Sequence, residues 1–272
     1  MSDRDVHLPD GRTVSVGEYG DPSGRPVIHL HGASSCRLEA QPFDAAGRQR
    51  GVRFIAPDRP GVGRSTALGG RTITGYASDL AGLADALELD QFAVSGVSNG
   101  GMYALAAAHV LGPRITKVVP INPTSPVADP AVKAALPASA RLGYGLLRRW
   151  PGVVSHRRVS PPRGLVARLN PDRELLATAE AHSLRSKIAA QPISDDCLRV
   201  EVTLPLQSWG FDHRALAQSV DFFTGERDAG RRYAEIWVSE LPNATLHVFP
   251  GGHLGFLAPA ALDKITRCVA EG

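Results

Sequence analysis

Short apolar runs alternate along this chain with stretches whose apolar residues recur at helical spacing. Pro26-Val27-Ile28-His29-Leu30-His31 is one such run, and it stops at Gly32 as a buried strand would. Runs at 52–56, 91–95, 115–121, 220–224 and 245–249 have the same character. Pro9-Asp10-Gly11 separates two alternating stretches within 6–16, which predicts a hairpin. Between the runs, Tyr76, Leu80, Leu83, Ala84 and Leu87 share one face of a helix predicted over 74–87. Helices are also predicted over 38–49, 99–111, 232–241 and 260–269. Strands alternating with helices call for right-handed crossovers and a mostly parallel sheet, hence an α/β fold. Ligands of such sheets sit at the carboxyl ends of the strands. Gly32, Asp58 and Ser98 each follow a predicted strand end, so they should converge on one rim.

The alternation breaks near Pro126. Residues 126–204 are rich in Pro and Arg, with helical patterns at 138–149 and 173–188, and no clear strand follows until Val220. The chain therefore divides into a core of 1–125 and 205–272 and an inserted helical cap of 126–204. The cap holds ten Arg and two Lys against seven acidic residues, a balance of +5 within a chain of net charge +3. Arg148-Arg149 and Arg157-Arg158 concentrate that charge, which reads as a solvated face or as an attraction for an anionic substrate or surface. Leu146, Leu147, Trp150 and, just after the cap, Trp209 are candidates for lining an apolar pocket or for packing in the core.

Composition narrows the function. A chain of 272 residues, 43% hydrophobic and 21% charged, is long enough to bury a sizeable core. No apolar run reaches the roughly 18 residues of a membrane span. The first residues, Met1-Ser2-Asp3-Arg4-Asp5, lack the apolar centre of a signal peptide, so a cytoplasmic protein is expected. Cys36, Cys197 and Cys268 are scattered and form no C-x-x-C, which fits reduced thiols and offers no zinc signature. Aromatic residues are 6% and no nucleic-acid module accompanies the basic residues. No metal or cofactor is called for, and Gly61-Val62-Gly63 lacks the rest of a nucleotide-binding loop. A small-molecule substrate is the expected partner, and oligomeric state is not legible.

The chemistry concentrates at Gly96-Val97-Ser98-Asn99-Gly100. G-x-S-x-G between a strand and a helix is the setting of a nucleophile elbow, a turn that holds a serine hydroxyl out at the end of a sheet. A serine hydroxyl needs a positioned base, and the base an orienting carboxylate. In this setting the chain order is serine, acid, histidine. Asp228, in the loop after the 220–224 strand, is the candidate acid, with Glu226 as the backup. His253, in Pro250-Gly251-Gly252-His253 after the 245–249 strand, is the candidate base, because it combines a Gly-rich strand-end loop with the right chain position. An oxyanion needs backbone donors. The amides of Asn99, next to the serine, and of Ala33, in His31-Gly32-Ala33, are the candidates.

Taken with Asp58-Arg59-Pro60-Gly61-Val62-Gly63-Arg64-Ser65, which is similar to a D-x-x-G-x-G-x-S run, these marks resemble the serine-nucleophile branch of the α/β-hydrolase fold family. The resemblance extends over nearly the whole chain. It implies an α/β fold with a mostly parallel eight-stranded sheet flanked by helices and an inserted helical cap. It also implies that the Asp58–Ser65 run is a structural loop near the pocket. A serine nucleophile separates the chain from the dehalogenase and epoxide-hydrolase branches, which use Asp. The expected activity is hydrolysis of a small ester, thioester or lactone through an acyl-enzyme. Carbon–carbon bond hydrolysis or acyl transfer by the same triad, or a ligand receptor with slow or no turnover, are the alternatives.

Overall fold

The computed structural model describes residues 2–136, 138–150 and 170–272. Arg157 and Arg158 lie outside the described residues. The strands are β1 (Ser2–His7), β2 (Thr13–Gly20), β3 (Arg25–Leu30), β4 (Val52–Pro57), β5 (Phe92–Val97), β6 (Ile115–Ile121), β7 (Ser219–Gly225) and β8 (Ala244–Phe249). They form one eight-stranded sheet in the order β1-β2-β4-β3-β5-β6-β7-β8. The β1–β2 and β2–β4 pairs are antiparallel and the rest are parallel. The polar residues that open the chain are thus an edge strand, largely exposed, whose charges discourage pairing with another chain. The predicted hairpin begins earlier than its apolar pattern suggested.

The described helices are α1 (Asp44–Arg50), α2 (Tyr76–Ala86), α3 (Asn99–Leu111), α4 (Pro130–Ala135), α5 (Ala138–Arg149), α6 (Arg173–Leu176), α7 (Ala179–Ala190), α8 (Asp195–Thr203), α9 (Arg231–Glu240) and α10 (Pro259–Ala270). The single helix expected over 38–49 is instead a 3-10 turn, Arg37–Phe43, followed by α1. Pro42 lies inside that turn and has no amide to donate, so an α-helix cannot run through it.

Two apolar layers cover the sheet. Neighbouring strand residues enter different layers: Ile28 and Phe222 pack with Leu80, Leu83, Met102 and Trp237, whereas Val27 and Phe223 pack with Phe43, Phe54, Leu262 and Ile265. This is the period-2 alternation of a strand buried on both faces. Trp209 belongs to the first layer, with its ring 5.1 Å from that of Trp237, so it packs in the core.

Between β6 and β7 the described residues form helices and no strand, as the pattern over 126–204 predicts. A buried ion pair ties this segment to the sheet. Arg59, in the loop after β4, donates from Nε to Glu201 of α8 at 2.9 Å, and neither side chain is exposed. Arg71 reaches the same carboxylate at 3.3 Å. Removing one partner of a buried pair leaves uncompensated charge and costs about 3–5 kcal/mol. Glu201→Gln should lower the unfolding free energy by about that amount in a urea titration. A loss below about 1 kcal/mol would show that the two guanidiniums find another counter-charge.

Candidate active site

β5 is buried along its length and delivers the chain to Ser98, whose backbone sits at φ 55° and ψ −119°. A non-glycine residue there is strained, and the surroundings must over-determine it. Ser98 N–H donates to Ile121 O at 2.9 Å, and the Ser98 carbonyl accepts from Gly101 and Thr124 amides at 3.0 and 3.1 Å. Gly100 makes the turn possible: a Cβ there would overlap the carbonyl of Leu30 at the end of β3. The G-x-S-x-G spacing therefore reflects the close approach of α3 to the neighbouring strand.

His253 lies in the loop after β8. Its Nδ1 and Asp228 Oδ2 are 2.6 Å apart, and Asp228 Oδ1 accepts from the Gly230 amide at 2.6 Å. Asp228 is almost fully buried, at 5% exposure, whereas 48% of the His253 side chain is exposed. Glu226, the backup acid, is 43% exposed and pairs with Arg227 at 3.3 Å. The structure brings Asp228 to the imidazole and leaves Glu226 at the surface. Burial alone would lower the His253 pKa. The hydrogen bond and charge of Asp228, with the charges of Glu39 and Asp172, outweigh it and hold the imidazole above its ordinary value.

Asp228, His253, Asn99 and Ala33 all line one cavity of about 700 Å³. Thr124 lines it too and ties Ser98 to it: the two hydroxyls are 3.4 Å apart, and this is the hydrogen bond that Ser98 Oγ makes among the described residues. Gly32, just before Ala33, packs against the elbow, since a Cβ on it would sit 3.7 Å from Ser98 Cβ. Four of the five predicted site residues thus line the same space, and Ser98 adjoins it through Thr124. The rest of the lining is largely apolar, with Val127, Leu136, Leu147, Val202 and Leu206 among it. Of the residues that the sequence left between pocket lining and core packing, Leu147 lines the pocket, whereas Leu146 and Trp150 are exposed at 49% and 56%.

Several functional neighbours escape the sequence pattern. Asn122 donates from Nδ2 to His253 O at 2.8 Å and accepts from the Gly225 amide at 2.9 Å, bridging the loops after β6, β7 and β8. The Asn99 side chain has its polar atoms taken up by the protein: Nδ2 donates to Glu201 O at 2.6 Å, and Oδ1 accepts from Thr124 Oγ1 at 2.6 Å. Arg59, expected to be structural, donates from Nη2 to Gly32 O at 2.7 Å and from Nη1 to His31 O. Asp58 likewise serves structure, accepting from the Arg37 side chain at 2.7 Å. Glu39 accepts from the Gly32 amide at 2.9 Å, and burial pushes its carboxyl up to about 7. A chain order cannot reveal these contacts, because most of the partners are brought together from distant parts of the chain.

One further group of donors stands apart. Asp221, His247 and Cys268 place ligand-type atoms within 4.8 Å of one another. Asp221 already meets His247 at 2.6 Å and the Lys117 ammonium at 2.8 Å, so its charge is neutralised and a cation would have to displace Lys117. Among the described residues, no helix is long and apolar enough to cross a membrane.

Comparison with known proteins identifies the family and the fold. Over 127 residues the chain is 36% identical to a non-heme haloperoxidase from Rhodococcus erythropolis, a match covering 45% of this chain and 44% of that protein. Over 95 residues it is 33% identical to a carbendazim hydrolyzing esterase from Nocardioides sp. (strain SG-4G), covering 34% and 39% of the two chains. The matched segments thus span less than half the length of these relatives. A thermophilic esterase from Thermogutta terrifontis has a similar fold, with a TM-score of 0.71, 21% identity, and coverage of 100% of this chain and 97% of that one. A profile of the alpha/beta hydrolase family matches residues 27–265, and the chain belongs to that family.

Proposed function

We propose that this protein is a serine hydrolase that cleaves a small-molecule ester, thioester or lactone through an acyl-enzyme. The observation that carries this reading is the 2.6 Å contact of His253 Nδ1 with buried Asp228, on the cavity that the strained elbow of Ser98 adjoins. In this reading Asp228 holds the proton on Nδ1 and leaves Nε2 as the base. His253 takes the Ser98 proton as Oγ attacks the carbonyl carbon. The oxyanion accepts hydrogen bonds from the amides of Ala33 and Asn99. Asn99 opens α3, so its amide has no partner within the helix and is available. The imidazolium then protonates the leaving group, and a water activated by the same ring releases the acid.

The segment 126–204 serves as the cap in this reading. Leu136, Tyr144, Leu147 and Val202 from it line the cavity and favour apolar substituents on the substrate. The similarity to a carbendazim hydrolyzing esterase supports the choice of an ester-type substrate.

A fluorophosphonate probe should add once to the wild-type protein and not to Ser98→Ala, read by intact mass. An adduct on folded Ser98→Ala would move the nucleophile elsewhere. Asp228→Asn should lower kcat by several orders of magnitude, as loss of the orienting acid does in a studied protease (about 10⁴-fold), while Glu226→Gln should stay within about twofold. The reverse ranking would make Glu226 the acid.

Because only neutral imidazole is a base, kcat/KM should rise with pH. A raised His253 pKa means that the proton is kept to higher pH, so the midpoint should lie above the ordinary value of about 6.5. A midpoint below that value, measured with an ester of non-titrating leaving group, would contradict the assignment.

A further inference from the structure

The loop that carries His253 is held by a carboxylate from the segment between β6 and β7. Asp172 lies just before α6 and is 5% exposed. Its Oδ1 accepts from the Gly252 amide at 2.6 Å and its Oδ2 from the Leu254 amide at 2.9 Å. The two amides belong to the residues on either side of His253. One buried carboxylate thus grips the backbone before and after the imidazole.

The loop is built to admit it. A Cβ on Gly252 would lie 2.5 Å from Pro171 Cγ and 2.9 Å from Asp172 Oδ2. A Cβ on Gly251 would lie 2.8 Å from Asp172 Oδ1, and Gly251 also has φ +100°. Both glycines before His253 are therefore required by the approach of Pro171-Asp172, and are not free hinge points. Asp172 is itself fixed: its amide donates to Asn170 Oδ1 at 2.9 Å, and its carbonyl accepts from the Leu176 amide at 2.9 Å. Asn122 holds the His253 carbonyl from the opposite direction at 2.8 Å.

We propose that Asp172 is a positioning residue for His253, which makes the base competent only while the segment bearing Asp172 is seated on the loop. The proposal rests on the serine-hydrolase reading above. Asp172 acts in two ways. Its two hydrogen bonds fix the backbone on which the ring is mounted. Its charge, with those of Asp228 and Glu39, faces the imidazole and favours the protonated form that appears as Ser98 is deprotonated. Asp228 sets the tautomer, and Asp172 sets where the ring stands.

The test is the rate of fluorophosphonate labelling of Ser98 across pH, with ester turnover, for wild type, Asp172→Ala and Asp172→Asn. Asp172→Ala should slow labelling and kcat by about 10- to 100-fold, the scale of a misplacement of about 1 Å, with KM within about twofold. Asp172→Asn keeps one acceptor for the Gly252 amide and turns an NH2 toward the Leu254 amide, so it should fall between the two. Loss of the Asp172 charge should also move the acid limb of both variants to lower pH, a change that simple loss of folded protein does not produce. If Asp172→Ala does not fold, Asp172→Asn carries the same two readouts. Labelling at the wild-type rate with an unmoved acid limb in a folded variant would overturn the role of Asp172 alone. A wild type that neither labels at Ser98 nor turns over esters would overturn the hydrolase reading, and this inference with it.

Discussion

The buried contact between Arg59 and Glu201 is the constraint on which the site's arrangement depends. A guanidinium with no exposure must have its donors met inside the protein, because an unmet charged group costs several kcal/mol. Arg59 meets them with the Glu201 carboxylate and the carbonyls of His31 and Gly32. Those carbonyls belong to the loop that leads into Ala33. The same carboxylate accepts from Tyr103 of α3 at 3.2 Å and from Asn99 Nδ2 at 3.2 Å. The requirement to satisfy one charge therefore fixes the loop after β3, the first turns of α3 and α8 relative to each other. The two amides proposed for the oxyanion hole sit on two of those three elements.

Around His253 the polar groups divide the work differently. Asp228 is nearly enclosed and meets the ring and an amide, so its carboxylate has fixed partners. Glu39 is on the other side of the balance. Burial pushes it up to about 7, although it accepts from the Gly32 amide and feels Arg59 and His253. Burial thus gives the loop after β3 a carboxyl that holds its proton more tightly than an ordinary glutamate does.

The turn at Ser98 and the meeting of Asp228 with His253 were legible because each residue is bound to a strand end and to small neighbours that leave a local mark. Ser98 is announced by glycines that steric contact with β3 requires, and Asp228 by its place three residues past the last residue of β7. The parallel sheet was legible for the same reason, since a strand buried on both faces can only be an apolar run. The polar edge strand Ser2–His7 was not, because its register is set by pairing with β2 and not by an apolar face. Pro42 marked a break that the helical spacing over 38–49 concealed. Thr124, Asn122 and Asp172 left no mark, because each works through a partner distant in sequence: Asn122 lies 131 positions from His253, and Asp172 lies 80 from Gly252.

That division has a physical cause. Residues that bend the backbone are read locally, because the steric condition on φ and Cβ belongs to one position. Residues that only accept or donate a hydrogen bond are interchangeable by type, and their role is created by the fold that delivers them. Gly251 and Gly252 join the two kinds. In the sequence they read as freedom for a loop to carry a ring across to the serine. In the structure they are the absence of two Cβ atoms where Pro171 and Asp172 press in. The same glycines that read as loosening the histidine loop are the condition for gripping it.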